Sequence, residues 1–306
     1  MLDRRDVMKA LSVSLSLSHL SSQTSASESP VLLTKPIPKT GENLPVIGMG
    51  TSRTFNVEGD YAAQARLDEV MSIFFDHGGT VIDSSPMYGA SEHNVGILMQ
   101  RIKNGYKRLF AATKIWTEGA EAGALQMNQS FEKMGVDVMD LMQIHNLRDW
   151  KTQLPLLRAW KEQGRIRYIG ITTSHGRFHD ELSDIMKSEE LDFVQLSYSI
   201  AEREAEERLL PLAQDKGIAI LANRPFSRGD VFKKVIGAPL PNWAGDIDCT
   251  SWAQVFLKFI VSHPGVTCAI PATAKAHHAL DNMKANFGKL PDTALRQEMV
   301  KHFDAL

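Results

Sequence analysis

Short apolar runs typical of β-strands alternate with amphipathic helical segments from residue 31 onward, and this alternation restricts the fold more than any other feature. Strand-like runs cover residues 46–50, 80–84, 109–115, 140–145, 168–172, 193–198, 219–223 and 268–271. Helical spacing of apolar residues occurs between them, for example over residues 62–77, 92–103, 120–134, 151–163, 202–216 and 251–262. Strands separated by helices pair in parallel through right-handed crossovers.

Eight strand and helix units predict one (β/α)8 TIM barrel, an α/β fold of about 250 residues, over residues 31–306. Residues 31–38 and the turn at 39–43 are expected to form a hairpin that closes the barrel bottom. Residues 226–250 exceed an ordinary barrel turn and are expected to form a flap over the C-terminal face. An open doubly wound sheet is the alternative fold, although no G-x-G-x-x-G opens an early strand-to-helix turn.

The first thirty residues have the character of an export leader. Arg4 and Arg5 precede a mildly apolar run of about eleven residues, and small residues end at Ala26, an order that resembles a twin-arginine export signal. The apolar run is too short, and too rich in serine, to anchor the chain stably in a membrane. We therefore predict a periplasmic or otherwise exported protein that engages the twin-arginine export machinery. The alternative is a disordered tail on a cytoplasmic protein.

The charge balance argues against a nucleic-acid or membrane partner. The 34 Lys and Arg residues offset 36 Asp and Glu residues, and no basic block occurs. Cys249 and Cys268 are too few for a disulfide framework or a zinc site, although one bridge between them stays open. No metal site is expected, and no sequence feature predicts an oligomeric state. A small molecule is the expected partner.

Polar residues end three successive strand-like runs. Asp83, Lys114 and His145 hold these positions, and Tyr88 follows Asp83 by five residues. The C-terminal ends of neighbouring barrel strands meet at one rim, so we expect the four side chains to converge. Each alone has a structural explanation. Together they would bury charges at a desolvation cost that function commonly explains, so we predict that they form the catalytic site.

Five motifs resemble, in order and rough spacing, those of the aldo-keto reductase superfamily over residues 38–290. The first covers residues 81–89, from Val81 to Gly89, and the others are AATK, DLMQIHN, FVQLSYS and IPATAKAHHALDNM. The resemblance implies reversible, NAD(P)H-dependent reduction of aldehydes or ketones to alcohols. It makes Tyr88 the proton donor, with Lys114 lowering the pKa of the phenol. Asp83 would pair with Lys114, and His145 would orient the substrate oxygen.

The resemblance also implies contacts with the nicotinamide half of the cofactor at Thr172, Thr173, Gln195, Asn223, Arg224 and Phe226. Gln195 matches the residue that binds the nicotinamide carboxamide. Thr172 and Thr173 replace a Ser-Asn pair, and a threonine hydroxyl replaces only one of the two amide hydrogen bonds. The aromatic residue that stacks on the nicotinamide is missing, so either the stacking is lost or Arg224 or Phe226 substitutes for it. Alternatively, Arg224 is a surface residue of the flap.

The last strand and helix are expected to bind the phosphate and adenine half of the cofactor. Thr273 and Asn282 match the contacts of the superfamily, and a helix N-terminus suits an anion. Ala272 and His278 stand where NADPH users often have Lys and Arg, so Lys275 is predicted to serve the 2′-phosphate. On this basis NADP(H) is favoured over NAD(H).

The substrate pocket is expected to be open, apolar and aromatic. Its predicted wall consists of Phe55, Met87, Trp116, Phe226 and Trp243. Such a wall suits a carbonyl compound with a hydrophobic or ring portion but does not select one.

Two other functions remain as hypotheses. One is a nucleotide-binding sensory or regulatory barrel without significant turnover. The other is a barrel hydrolase or lyase that uses Asp83 and His145, which would have no need of Gln195.

Overall fold

The computed structural model describes residues 31–306, so the predicted leader over residues 1–30 lies outside the described part of the chain. Strands β1 (Thr34–Pro36) and β2 (Asn43–Pro45) form an antiparallel hairpin. The eight strands of the second sheet are β3 (Met49–Gly50), β4 (Val81–Asp83), β5 (Phe110–Ile115), β6 (Met139–Ile144), β7 (Ile166–Thr172), β8 (Phe193–Ser197), β9 (Ala219–Asn223) and β10 (Cys268–Ala269).

The α-helices surround this sheet. They are α1 (Tyr61–Asp76), α2 (Ser91–Arg101), α3 (Gly105–Arg108), α4 (Ala120–Met134), α5 (Trp150–Glu162), α6 (His179–Ser188), α7 (Leu209–Lys216), α8 (Asp230–Lys234), α9 (Trp252–Ser262), α10 (Ala276–Lys284) and α11 (Thr293–Ala305). Short 3₁₀ turns cover Pro86–Tyr88, His145–Leu147, Glu204–Glu206, Ser227–Gly229 and Asn242–Ile247.

The second sheet is a closed parallel barrel. Its strands follow chain order from β3 to β10, and each pairs in parallel with the next. A parallel bridge between Ile47 and Ala269 joins the two ends. The predicted TIM barrel is therefore confirmed, and the open doubly wound sheet is excluded.

The hairpin closes the N-terminal end of the barrel, as predicted. Ile37 and Leu44 are buried in one apolar cluster with residues that point into the barrel, including Tyr168 and Phe193. The Nζ of Lys35 donates hydrogen bonds to two carbonyl oxygens in the loop after α9. The lower half of the barrel interior is thus filled with apolar side chains, which leaves the opposite end for polar groups.

A larger apolar layer lies between the barrel and its helices. Helices α2 and α4 approach closely because Gly96 has no side chain, since a Cβ there would lie 2.1 Å from the carbonyl oxygen of Lys133. Helix α2 itself begins at Ser91, three residues after Tyr88.

One predicted helix is shorter than expected. The segment 202–216 forms a 3₁₀ turn followed by α7, which begins at Leu209. Pro211 explains the break, because proline fits the first turn of a helix but clashes with the carbonyl four residues before it further inside.

The long segment 226–250 covers the C-terminal face only in part. Phe226 and Phe232 face the cavity described below, whereas Ala244 and Ile247 are buried in the apolar layer. Cys249 and Cys268 are both free and buried, so the bridge left open above does not form. Within residues 31–306 we find no helix with the length and apolar character needed to cross a membrane.

Candidate active site

A buried ion pair lies at the C-terminal ends of β4 and β5. The Nζ of Lys114 donates to Oδ2 of Asp83 at 2.5 Å and to the carbonyl oxygen of Ser84 at 2.7 Å. Lys114 is fully buried and Asp83 is 2% exposed. Burial opposes the charge on Lys114, but the Asp83 carboxylate raises the pKa of the ammonium above its ordinary value. Lys114 is therefore a fixed positive charge.

Tyr88 stands over this charge. It is the last residue of the 3₁₀ turn Pro86–Tyr88, and the Nζ of Lys114 lies 5.2 Å from the centre of its ring. Burial raises the pKa of the phenol above its ordinary value, and the charge of Lys114 opposes this rise without cancelling it. The structure thus differs from the expected lowered pKa: Tyr88 keeps its proton at neutral pH, and Lys114 stabilises the phenolate once the proton leaves.

His145 completes the group at the end of β6. Its ring is perpendicular to that of Tyr88, with centroids 5.7 Å apart, and its Nδ1 lies 3.0 Å from Oγ of Ser85. Burial and the nearby Lys114 lower the pKa of His145 to about 3. The imidazole is therefore neutral across the physiological range, and it can donate only one hydrogen bond.

Side-chain amides connect Asp83 on β4 with β6 and β8 across the barrel interior. The Nε2 atoms of Gln143 and Gln195 donate to Oδ1 of Asp83 at 2.9 and 3.0 Å. Gln195 also donates to Oε1 of Gln143, and its own Oε1 accepts from Nδ2 of Asn223. Both amide protons of Gln195 are used, so it can bind a nicotinamide carboxamide only by accepting a hydrogen bond at Oε1.

These residues form the floor of a cavity of about 1340 Å³ at the C-terminal end of the barrel. Three of the four predicted catalytic residues, Asp83, Tyr88 and His145, line the cavity, and Lys114 is buried beneath them. So do most of the predicted cofactor contacts, namely Thr172, Thr173, Gln195, Asn223, Arg224, Phe226, Thr273, His278 and Asn282. The structure brings these side chains together, and their roles remain predictions from the sequence.

Two of the predicted wall residues do not face the cavity. Phe55 is fully buried in the apolar layer. The loop after β3 turns back toward α2, where the carbonyl oxygen of Phe55 accepts a hydrogen bond from Nδ2 of Asn94. Trp243 packs edge-on against His302 of α11, with ring centroids 5.9 Å apart. Met87 and Trp116 do line the cavity and are 48% and 36% exposed.

Lys275 lies outside the cavity lining, at the start of α10. Its backbone N–H donates to Oγ1 of Thr273 at the start of α10, while the residue itself is exposed and does not line the cavity. The helix start therefore offers Thr273, His278 and Asn282 to a ligand within the cavity, and the role of Lys275 at the 2′-phosphate stays a prediction.

A cluster of arginines lines one side of the cavity and was only partly foreseen. Arg177 follows β7, and Arg224 and Arg228 follow β9. Burial and the other two arginines lower the pKa of Arg224, although Glu202 opposes them from 3.9 Å. The Nε of Arg224 is buried without a hydrogen-bond partner among the described residues. An anionic group such as a phosphate would satisfy this nitrogen and neutralise the cluster.

Residues 46–304 match the family described as Aldo/keto reductase family. The chain belongs to the aldo/keto reductase family. Uncharacterized oxidoreductase YtbE of Bacillus subtilis (strain 168) is 26% identical over 281 residues, which cover 87% of this chain and 90% of the relative. Methylglyoxal reductase YeaE of Escherichia coli (strain K12) is 25% identical over 248 residues, which cover 78% and 84% of the two chains.

Solved structures of the family have the same fold. An aldo-keto reductase from Klebsiella pneumoniae, solved in complex with NADPH, matches with a TM-score of 0.74 at 22% identity. The match covers 89% of this chain and 95% of that one. This similarity supports the closed barrel of the present aldo/keto reductase family member.

Two buried residues of the site were not foreseen. Gln143 lies in β6, two positions before His145, which directly follows the strand, so the alternation of side chains directs both residues to the inside of the barrel. A glutamine between the apolar residues Met142 and Ile144 was the available signal. Ser85 lies between Asp83 and Tyr88 in the first of the five motifs, but only the structure shows that it contacts His145.

The neutral state of His145 makes the stability of the fold depend on pH. The pKa of about 3 in the folded protein is below the ordinary value of 6.5. The unfolded chain therefore gains the proton first as the pH falls. The stabilisation is complete above about pH 6.5 and is lost as the pH falls toward 3, with a slope of about 1.4 kcal/mol per pH unit.

We predict that the wild type loses about 2 kcal/mol more unfolding free energy than His145→Gln between about pH 7 and pH 5. Urea unfolding of both proteins at each pH measures this difference, and the variant serves as the control for the other titrating groups. Equal pH slopes for the two proteins would contradict the assignment.

Proposed function

We propose that this protein is an NAD(P)H-dependent reductase of aldehydes or ketones, working reversibly as a carbonyl reductase or alcohol dehydrogenase. The observation that carries the proposal is the position of Tyr88 and His145 at one cavity floor, directly above the buried pair of Lys114 and Asp83. A proton donor, a neutral hydrogen-bond donor and a fixed positive charge are the groups that carbonyl reduction requires.

The cavity also fits the cofactor. Its volume of about 1340 Å³ accommodates a dinucleotide together with a small substrate. Arg177, Arg224 and Arg228 would hold phosphate groups, and Gln195 and Asn223 would face the nicotinamide. When bound, the reduced nicotinamide supplies the hydride. NADPH is favoured over NADH, in keeping with the NADPH held by the Klebsiella pneumoniae protein.

The residues of the chain supply the proton and the electrostatic stabilisation. The substrate oxygen accepts hydrogen bonds from the Tyr88 hydroxyl and from His145, and negative charge on this oxygen is stabilised as it develops. Tyr88 then transfers its proton to the oxygen, and the positive charge of Lys114 stabilises the phenolate that remains. Asp83 keeps Lys114 charged and in place, and it takes no part in the proton transfer.

The substrate class follows from the cavity wall. Met87 and Trp116 provide exposed apolar surface at the mouth, and the guanidinium of Arg148 covers the Trp116 ring at 5.1 Å. We propose carbonyl compounds with an apolar or ring portion. The Escherichia coli relative is named for methylglyoxal, so this small dicarbonyl belongs in the first set of compounds tested.

We predict that Tyr88→Phe lowers turnover by about 10²–10⁴-fold, because the ring remains while the proton donor is lost. The dissociation constant for NADPH should change by less than about twofold, since Lys114 and the arginines stay in place. Nucleotide titration by fluorescence, followed by assays with an aldehyde panel, measures both quantities. Unchanged turnover would refute the role of Tyr88, and nucleotide binding without turnover in the wild type would favour the sensory alternative.

We predict that Arg228→Gln weakens NADPH binding by about tenfold, because a charged hydrogen bond to phosphate is lost. Arg66→Gln, on the exposed side of α1, changes the net charge equally and serves as the control. The difference between the variants should shrink at high salt, which screens exposed charges. Equal dissociation constants for the two variants would remove the arginine cluster from the cofactor site.

We also propose export through the twin-arginine machinery, on the strength of Arg4 and Arg5 and the small residues up to Ala26. Replacing both arginines with lysine in the full chain should retain the protein in the cytoplasm. The wild type should accumulate outside it with a new N-terminus near residue 27. Fractionation with N-terminal sequencing compares the two, and an intact wild type in the cytoplasm would support the alternative location.

A further inference from the structure

Ser85 links the two groups that face the substrate oxygen. It is fully buried, and its Oγ accepts a hydrogen bond from the backbone N–H of Met87 at 3.2 Å, which caps the turn that carries Tyr88. The same Oγ lies 3.0 Å from Nδ1 of His145. One buried hydroxyl group therefore contacts both the turn of the proton donor and the imidazole ring.

The direction of the hydrogen bond to His145 follows from the protons available. A serine hydroxyl has one proton and two lone pairs, and the Met87 N–H occupies one lone pair. Among the described residues, Nδ1 of His145 is the one group placed to accept the Ser85 proton. A buried hydroxyl proton without an acceptor costs about 1–3 kcal/mol. Ser85 therefore donates, and Nδ1 accepts.

The tautomer of His145 follows in turn. A neutral imidazole carries one proton, so an Nδ1 that accepts leaves this proton on Nε2. Burial and the charge of Lys114 hold the pKa of His145 at about 3, which keeps the ring neutral. His145 lines the cavity, and Nδ1 is already engaged by Ser85. The ring therefore has a single donor left for a ligand.

We propose that Ser85 is a positioning residue that sets the tautomer of His145, so that Nε2–H donates to the oxygen of the carbonyl substrate. The catalytic part of this inference rests on the proposed reductase function. The opposite tautomer would present an Nε2 lone pair to that oxygen, and the resulting repulsion would disfavour both binding and charge development on the oxygen. Because Ser85 also caps the turn of Tyr88, its Oγ holds both the turn of Tyr88 and the ring of His145 in place.

The tautomer can be measured by ¹⁵N NMR of the full chain with labelled histidine, because protonated and unprotonated ring nitrogens differ in chemical shift. His145→Gln identifies the signals of His145 by their loss. We expect the wild type to carry the proton on Nε2. In Ser85→Ala the population with the proton on Nδ1 should increase, and kcat should fall about tenfold with an unchanged dissociation constant for NADPH. Ser85→Thr, which keeps the hydroxyl, should restore both.

Ser91→Ala is the structural control. The Oγ of Ser91 donates to the carbonyl oxygen of Tyr88 at 2.8 Å, so this variant weakens the same turn without touching the imidazole. It should leave the tautomer of His145 unchanged, and a shift as large as in Ser85→Ala would assign the effect to the turn and overturn the proposal.

A wild-type proton on Nδ1, or an unchanged tautomer in Ser85→Ala, would also overturn the proposal. The NMR measurement needs no turnover. If no carbonyl compound is reduced while the tautomer still depends on Ser85, the reductase function fails and the control of the tautomer stands.

Discussion

The buried pair of Lys114 and Asp83 is the interaction on which the upper half of the barrel depends. Two charges taken out of water cost several kcal/mol each, and removing one partner of such a pair typically costs about 3–5 kcal/mol. The pair is tolerated because every remaining acceptor is satisfied: Gln143 and Gln195 donate to the second oxygen of Asp83. The barrel interior is thus divided into an apolar lower layer, closed by the hairpin, and a polar upper layer that opens to the cavity.

This division explains why so much could be predicted from the sequence. Each strand shows its inward positions by alternation, and the first polar inward residue marks where the strand reaches the rim. Asp83 and Lys114 follow that rule, whereas the first polar inward residue of β6 is Gln143, two positions before His145. The eight strands were located to within a few residues. The closed barrel needs only the repeated strand and helix pattern, because parallel pairing with right-handed crossovers leaves few other solutions.

What could not be predicted depends on the direction of loops. Phe55 occupies the expected loop, yet its side chain is buried in the apolar layer and not in the cavity wall. A positive φ at Arg53 redirects the chain just before Phe55, and an arginine gives no indication of such a conformation. The arginine cluster could not be predicted from the sequence either, because its members are far apart in the chain. The charges of the chain nearly balance overall, and Arg177 and Arg224 meet only because the ends of β7 and β9 lie at the same rim.

The protonation states of the site complement one another at neutral pH. Burial raises the pKa of Tyr88 and lowers that of His145, because it disfavours the charged form of each group. Of the three groups, only Lys114 has a pKa that favours its charged form, because Asp83 stabilises that charge. The site therefore holds one transferable proton, on Tyr88, one neutral imidazole whose donor is set by Ser85, and one permanent positive charge. Since the charge lies next to the Tyr88 ring, it stabilises the phenolate that remains after proton transfer, and this favours transfer of the proton from Tyr88 to the substrate oxygen.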